Sequence, residues 1–213
     1  MTGERIRHQR ILDGVGAYYT QKILEHGPTH CGVDWNSPQS QVLRFDQLLK
    51  VVGPERECSI IDYGCGYGAL AGYIRAEGYV GPYLGYDISE EMINQALKQQ
   101  SELPNCTFTT DLKALGFADY IVASGIFSVK QGVPDEEWLT YVTDTIKEIA
   151  EHSRKGFSFN MLTAYADWTR PDLFYGDPRF FIDHCIRNYS RHVAMLHNYG
   201  LYEFTILVSA DKT

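Results

Sequence analysis

The sequence of 213 residues has no apolar run as long as the roughly 18 residues that a membrane-spanning helix needs. Its first residues carry charges but no apolar segment of the signal-peptide type, so we expect neither a membrane helix nor a secretory leader. It also lacks any Cys-x-x-Cys pair, and its five cysteines are scattered, which argues against a zinc site or a redox motif. We therefore predict a cytoplasmic protein with reduced thiols and no bound metal.

Basic residues are scarce as well. The 19 lysines and arginines are outnumbered by 27 acidic residues, which gives a net charge of −8. Proteins that bind nucleic acids neutralise phosphates with clustered basic side chains, so DNA and RNA are not expected as partners. The early arginines Arg5, Arg7 and Arg10 are interpreted as part of a solvated terminus. A hydrophobic fraction of 44% predicts one globular unit with a substantial core.

What the chain does contain is a dense glycine motif at residues 60–68, Ile-Ile-Asp-Tyr-Gly-Cys-Gly-Tyr-Gly. Three glycines, Gly64, Gly66 and Gly68, follow Asp62 at alternate positions. A strand that ends in such a turn and opens a helix lets the backbone approach a ligand closely. A second apolar run then ends in Asp87, where α/β nucleotide folds place the carboxylate that binds a ribose.

Two classes of cofactor site fit this motif. A dinucleotide site requires G-x-G-x-x-G/A, which Gly64, Gly66 and Ala69 satisfy. The S-adenosylmethionine (SAM) site of class I methyltransferases requires an acid before G-x-G-x-G, which Asp62 and the glycines satisfy. A carboxylate at this position would repel a pyrophosphate but would suit the ammonium group of SAM. The motif therefore favours SAM, with an NAD-dependent oxidoreductase as the alternative.

The periodicity of the chain alternates strands and helices, which predicts a doubly wound, mostly parallel α/β sheet. Two closing apolar runs, 192–197 and 201–208, are joined by so short a link that they must be antiparallel neighbours. The other predicted strands are 58–63, 83–88, 106–110, 118–127 and 156–162. The predicted helices are 38–52, 67–77, one capped by Ser89, 134–152 and 178–189, with only a turn at 112–117.

With these features, residues 55–208 resemble the class I SAM-dependent methyltransferases. The resemblance implies a seven-stranded sheet with an antiparallel C-terminal hairpin strand and an N-terminal helical cap. It implies that the loop Gly64 to Gly68 lies under the methionine and ribose of SAM, and that Asp62 orients the amino group. It further implies that Asp87 accepts hydrogen bonds from the ribose hydroxyls, and that Ile88 and Met92 pack on the adenine.

The resemblance also assigns residues farther along the chain. Asp111 and Leu112 match the place beside the adenine amino group, and Ser124 and Ile126 match the segment under the sulfonium. That segment lacks an Asn-Pro-Pro-Tyr motif, so methylation of amide nitrogen is not expected. Arg44 could neutralise the carboxylate of SAM, although a solvated helix face is the simpler assignment for it.

The two predicted regions are a cap or lid at residues 1–54 and a SAM-binding domain at residues 55–213. The cap contains Tyr18, Tyr19 and Trp35, which could close over SAM, and the aromatic-rich stretch 165–189 could form a second pocket wall. These features predict transfer of a methyl group from SAM to a small molecule, giving S-adenosylhomocysteine (SAH), by a monomer or homodimer. No catalytic base is assigned. A SAM-binding protein of the same fold without turnover is a further alternative.

Overall fold

The computed structural model describes residues 8–210, and a single seven-stranded sheet forms its centre. Its order is β3-β2-β1-β4-β5-β7-β6, with β7 antiparallel to both of its neighbours and the other pairs parallel. The predicted fold class and closing hairpin are thus confirmed. The strands are β1 Ile60–Tyr63, β2 Tyr83–Tyr86, β3 Cys106–Thr109, β4 Ala118–Ala123, β5 Ser153–Leu162, β6 Val193–Leu196 and β7 Glu203–Ser209.

Within residues 8–210, six α-helices surround this sheet, and three of them begin at side-chain caps, including the Ser89 cap that the sequence predicts. Ser37 accepts a hydrogen bond from the Ser40 amide, and Ser89 and Asp177 cap later helices in the same way. The helices are α1 Gln9–His26, α2 Pro38–Leu49, α3 Ala69–Ala76, α4 Glu90–Gln99, α5 Asp135–His152 and α6 Pro178–Asn188. Among residues 8–210, none of them is long and apolar enough to cross a membrane.

Several predicted boundaries differ from the observed ones. The strand predicted at 118–127 ends at Ala123, because the chain turns there to border a cleft. The strand predicted at 156–162 begins at Ser153, directly after α5, so no loop separates the two elements. The predicted turn at 112–117 is confirmed as one short 3₁₀ segment, Leu112–Ala114.

Because this crossover between β3 and β4 is so short, α1 covers the adjacent face of the sheet. Ile11 and Val15 are buried there in one cluster with Tyr63, Tyr86 and Tyr141. The helix is tied to α5 by polar contacts, including a 2.8 Å hydrogen bond between the His8 ring and Asp144. The α1 segment of the predicted cap is therefore part of the core. The described residues exclude the first seven positions of the predicted cap, where Arg5 and Arg7 lie. They also exclude residues 211–213 at the end of the predicted SAM-binding domain.

Candidate functional site

The glycine turn after β1 has a backbone that only glycine adopts without strain. Gly64 and Gly66 have φ values of 82° and 54°, in the left-handed region. A Cβ on Gly64 would lie 2.2 Å from Cγ2 of Ile126, and one on Gly66 would lie 3.0 Å from Cγ1 of Val33. The motif thus brings the backbone of the turn against the segment after β4 on one side and against the cap on the other.

Asp87, at the end of β2, fastens this turn to the neighbouring strand. Its carboxylate accepts the amide N–H of Gly66 and that of Ser89, both at 2.9 Å. Burial raises the pKa of Asp87 to about 6, while the amide hydrogen bonds oppose that rise. Two carboxylate oxygens can accept about four hydrogen bonds, so Asp87 keeps acceptor capacity for a ligand hydroxyl.

Asp62, the acid that precedes the glycines, is 2% exposed and accepts the Tyr83 hydroxyl at 2.7 Å. Burial raises its pKa to about 7; the Tyr83 hydrogen bond opposes this rise and the nearby charge of Asp87 adds to it. No basic side chain among residues 8–210 offsets either carboxylate. Two buried acids that lack a cation form an electrostatic environment suited to a positively charged ligand group.

These groups border one cleft, which encloses about 860 Å³ of empty space, part of it open to solvent. Its lining is mostly apolar with a few polar groups, as is usual for small-molecule sites. The cap contributes Leu12, Val15, Tyr19, Val33, Trp35, Gln41 and Phe45 to this lining.

The turn after β4, residues 124–126, forms the opposite wall. Gly125 has a φ of 74°, and a Cβ there would lie 2.2 Å from Cη2 of Trp35 in the cap. The Gly125 amide donates a 2.8 Å hydrogen bond to Oδ1 of Asn160 on β5. The Ser124 hydroxyl is buried and has no hydrogen-bond partner within residues 8–210. The wall of the cleft therefore contains a buried hydroxyl without a partner among the described residues.

The structure brings most of the residues that the sequence singles out into this cleft. Those that line it are Asp62, Gly64, Gly66, Asp87, Ile88, Met92, Ser124 and Ile126. Gly68 begins α3 next to it. Asp111 and Leu112 are outside the lining; Asp111 is exposed and accepts the Lys113 amide at 3.0 Å, which caps the 3₁₀ segment. Their assignment beside an adenine stays a prediction.

Arg44 does not lie on a solvated helix face, so that interpretation is wrong. It is 5% exposed, its Nε lies 3.0 Å from both carboxylate oxygens of Glu203 on β7, and it stacks on Trp35 at 3.7 Å from the ring centre. It is absent from the cleft lining, and its charge is already neutralised. The partner acid is 159 positions away in the chain, so helical periodicity could not reveal it.

The aromatic stretch 165–189 does not supply a wall of this cleft, contrary to expectation. Phe174 and Phe181 are buried in the core that α6 forms against the sheet. Tyr165 and Trp168 are 58% and 65% exposed. The rings of this stretch thus divide between the core and the surface, and periodicity alone does not distinguish such an arrangement from a pocket wall.

Two polar residues of the cleft, Gln41 and Tyr67, were not identified from the sequence. The Tyr67 hydroxyl donates to Oε1 of Gln41 at 3.1 Å, which joins the glycine turn to α2. A signal for Tyr67 was available, since it stands between two glycines of the motif. Gln41 is 8% exposed, and a polar residue on the buried side of α2 needs a hydrogen-bond partner.

Comparison with known proteins agrees with this geometry. Residues 38–201 match a family model described as "Methyltransferase domain". The chain therefore belongs to the class I SAM-dependent methyltransferases, and SAM is its cofactor. This result decides against the NAD-dependent alternative.

The chain is also 45% identical, over 162 residues, to a Mycobacterium tuberculosis protein named "Putative methyltransferase Rv1506c". The match covers 75% of this chain and 98% of that relative.

Solved structures share the fold at low sequence identity. One is magnesium protoporphyrin IX methyltransferase (ChlM) from Synechocystis PCC 6803 with bound SAH, at 18% identity and a TM-score of 0.56, covering 97% of this chain and 85% of that one. Another is the DhpI–SAH complex, at 13% identity and a TM-score of 0.64, covering 95% and 98% of the two chains.

Proposed function

We propose that this methyltransferase acts on a small-molecule acceptor enclosed between the sheet edge and the N-terminal cap. The observation that supports the proposal is the composition of the cleft wall, in which seven cap residues face the glycine turn and the turn after β4. A nucleic-acid acceptor would need an open, basic groove, whereas the chain has a net charge of −8. The cap instead suits an acceptor small enough to be sealed from water.

In this proposal the glycine turn lies under the methionine and ribose of SAM, and Asp87 accepts the ribose hydroxyls. Asp62 attracts the ammonium group, while Ile88 and Met92 pack on the adenine. Bound SAM supplies an electrophilic methyl group on a sulfonium. Because burial leaves both acids without a cation of their own, they favour a ligand that brings positive charge.

At the acceptor end, Ser124, Tyr19 and Trp35 line the cleft and exclude water from it. Orientation of two reactants in such a site can supply much of a rate enhancement without a strong base. We assign no catalytic base, and no histidine among residues 8–210 lines the cleft. We further infer a monomer or homodimer, which light scattering at several protein concentrations tests.

Titration calorimetry with SAM, SAH and NADH tests the cofactor half of this proposal. We expect SAM and SAH to bind and NADH to give no heat. The acceptor half is tested with methyl-labelled SAM against matched panels of small molecules, peptides and RNA oligonucleotides. Labelling confined to a peptide or RNA would contradict the small-molecule proposal, and binding without any labelling would favour a protein that has lost turnover.

The affinity for SAM is expected to rise about tenfold between about pH 6 and pH 7.5, because Asp62 must ionise to attract the ammonium group. Its pKa of about 7 leaves it mostly protonated at the lower pH. Binding at pH 6.5 should therefore release a proton, seen calorimetrically in two buffers of different ionisation enthalpy. Asp62→Asn should bind more weakly and lose this pH dependence. A wild-type affinity that does not vary with pH would rule out the role of Asp62.

The raised pKa of Asp62 also affects the stability of the ligand-free protein. A carboxyl whose folded pKa is raised above its unfolded value of about 3.9 binds more protons in the folded state between these two values. Stability from Asp62 is thus greatest below pH 4 and decreases as the pH rises to about 7. Bound SAM should offset this decrease.

The cap is expected to become more protected when SAH binds. Val33 lies against Gly66 and Trp35 against Gly125, so both side chains cover the ligand groove, and lids belong to the less stable parts of a fold. Hydrogen exchange should slow within residues 14–54 on adding SAH, while β1 and β7 should change little. Equal protection with and without SAH would mean a rigid cap and would contradict the lid.

A further inference from the structure

The buried ion pair between α2 and β7 continues, through β5, to the turn after β4. Arg44 donates to the Glu203 carboxylate, and Asn160 donates its Nδ2 to the same carboxylate at 2.7 Å. Oδ1 of Asn160 then accepts the Gly125 amide at 2.8 Å. Each of the three side chains is at most 5% exposed. No bulk solvent can replace a partner that is lost from such a buried network.

A second route joins the same carboxylate to the same turn through the cap. Arg44, held by Glu203, stacks on the Trp35 ring, and that ring lies against the Cα of Gly125 so closely that a Cβ would clash at 2.2 Å. Trp35, Ser124 and Gly125 all line the cleft. Glu203 itself is absent from the lining, yet both routes from it end at Gly125.

The first route has a fixed direction of hydrogen bonding. A carboxylate only accepts, so Asn160 must present its NH₂ to Glu203 and hence its oxygen to Gly125. The N–H and C=O of a trans peptide point in opposite directions. Fixing the Gly125 N–H against Asn160 therefore directs the Ser124 carbonyl away from it. The orientation of this peptide thus depends on the acceptor that residue 203 presents to Asn160.

We propose that Glu203 is a positioning residue of the methyl-transfer site. Through Asn160 it orients the peptide between Ser124 and Gly125, and through Arg44 it holds Trp35 against that peptide. The proposal rests on the proposed function, since it takes this turn to be a wall of the SAM site. If the ion pair only attached α2 to the sheet, its loss would alter stability but neither the turn nor the ligand affinity.

The test is a reciprocal exchange of side chains. Glu203→Gln leaves one acceptor oxygen at residue 203, so its new NH₂ must face either the NH₂ of Asn160 or the guanidinium of Arg44. Asn160→Asp places two carboxylates together. The double variant E203Q/N160D restores a donor and an acceptor between residues 203 and 160 and between residue 160 and the Gly125 amide. It leaves the one amide oxygen at residue 203 to accept from Arg44 and keeps the net charge unchanged. We expect each single variant to raise the Kd of SAH about tenfold and to speed exchange of the Gly125 amide, and the double variant to return within about threefold of wild type.

Asp119→Asn is the matched control, because it makes the same carboxylate-to-amide change near the other end of β4. Asp119 accepts the Ser59 amide at 3.0 Å and does not line the cleft. It should shift the melting temperature and leave the Kd of SAH unchanged. The proposal is overturned if E203Q binds SAH as tightly as D119N does, or if E203Q/N160D is no better than the single variants.

Two further outcomes are distinguishable. Should a single variant not fold, the pair Arg44→Met with Glu203→Leu removes both charges together, an exchange that folds generally tolerate. This double variant should bind SAH about tenfold more weakly and exchange its Gly125 amide faster than the wild type. A wild-type Kd and a wild-type exchange rate would overturn the proposal. Should wild-type protein not bind SAH at all, the proposed function fails. Exchange of the Gly125 amide in the free variants still decides whether Glu203 positions the turn.

Discussion

Replacing Asp87 with alanine is expected to weaken SAM binding at least a hundredfold. In the proposed site this carboxylate accepts two ribose hydroxyls, and charge-assisted hydrogen bonds contribute about 1.5–3 kcal/mol each. It also accepts the amides of Gly66 and Ser89, so its loss releases the glycine turn from β2. Calorimetry with SAM and SAH measures the change, and circular dichroism checks that the variant is folded.

Asp46→Ala serves as the comparison for this experiment. Asp46 is an exposed acid on α2 that accepts the Tyr73 hydroxyl, and it does not line the cleft. Its variant should bind SAM like the wild type. An Asp87→Ala protein with wild-type affinity would mean that the ribose is bound elsewhere.

Gly66→Val is expected to abolish SAM binding. Gly66 has a φ of 54°, which costs an L-residue about 1–2 kcal/mol and a β-branched residue more. Its Cβ would lie 3.0 Å from Val33 of the cap and 3.9 Å from the Met92 sulfur, so the added side chain enters the cleft from the turn. We expect no heat of binding at SAM concentrations that saturate the wild type.

Gly78→Val is the control variant, because it introduces similar backbone strain without placing a side chain in the cleft. Gly78 has a φ of 82°, and no atom lies within 4 Å of the position of its Cβ. Both variants should therefore lose stability by a similar amount in thermal unfolding, but only Gly66→Val should lose SAM. Normal SAM binding by Gly66→Val would show that the ligand does not lie over the turn.

The parts of the fold that the sequence predicts well depend on local patterns. The glycine motif, the Ser89 cap and the closing hairpin each occupy a few consecutive residues, so their geometry follows from local sterics and hydrogen bonding. Strand ends were less accurate, because pairing with neighbours decides where a ladder stops. The strand predicted at 118–127 ends at Ala123, where its pairing with β5 ends.

The site features that were missed depend on residues distant in the chain. Arg44 has the spacing of an exposed helix residue, and only the fold brings Glu203 against it. The acid itself was a usable signal, since Glu203 opens an apolar strand that is buried along nearly its whole length. A buried carboxylate requires a cation or several donors. The position of Glu203 in a buried strand therefore predicts a basic partner elsewhere in the chain, which the fold supplies as Arg44.

Helix α1 packs on the core and also lines the cleft, and this position affects the order in which the protein folds. Its first half packs on Tyr63, Tyr86 and Tyr141, and His8 contacts Asp144 across 136 positions of the chain. On the ribosome this helix emerges before every strand that it covers, and its partner α5 emerges more than a hundred residues later. Contacts of such long range form slowly because the loop between them must first close. We therefore expect the cofactor cleft to be completed late in folding, when α1 docks on the sheet.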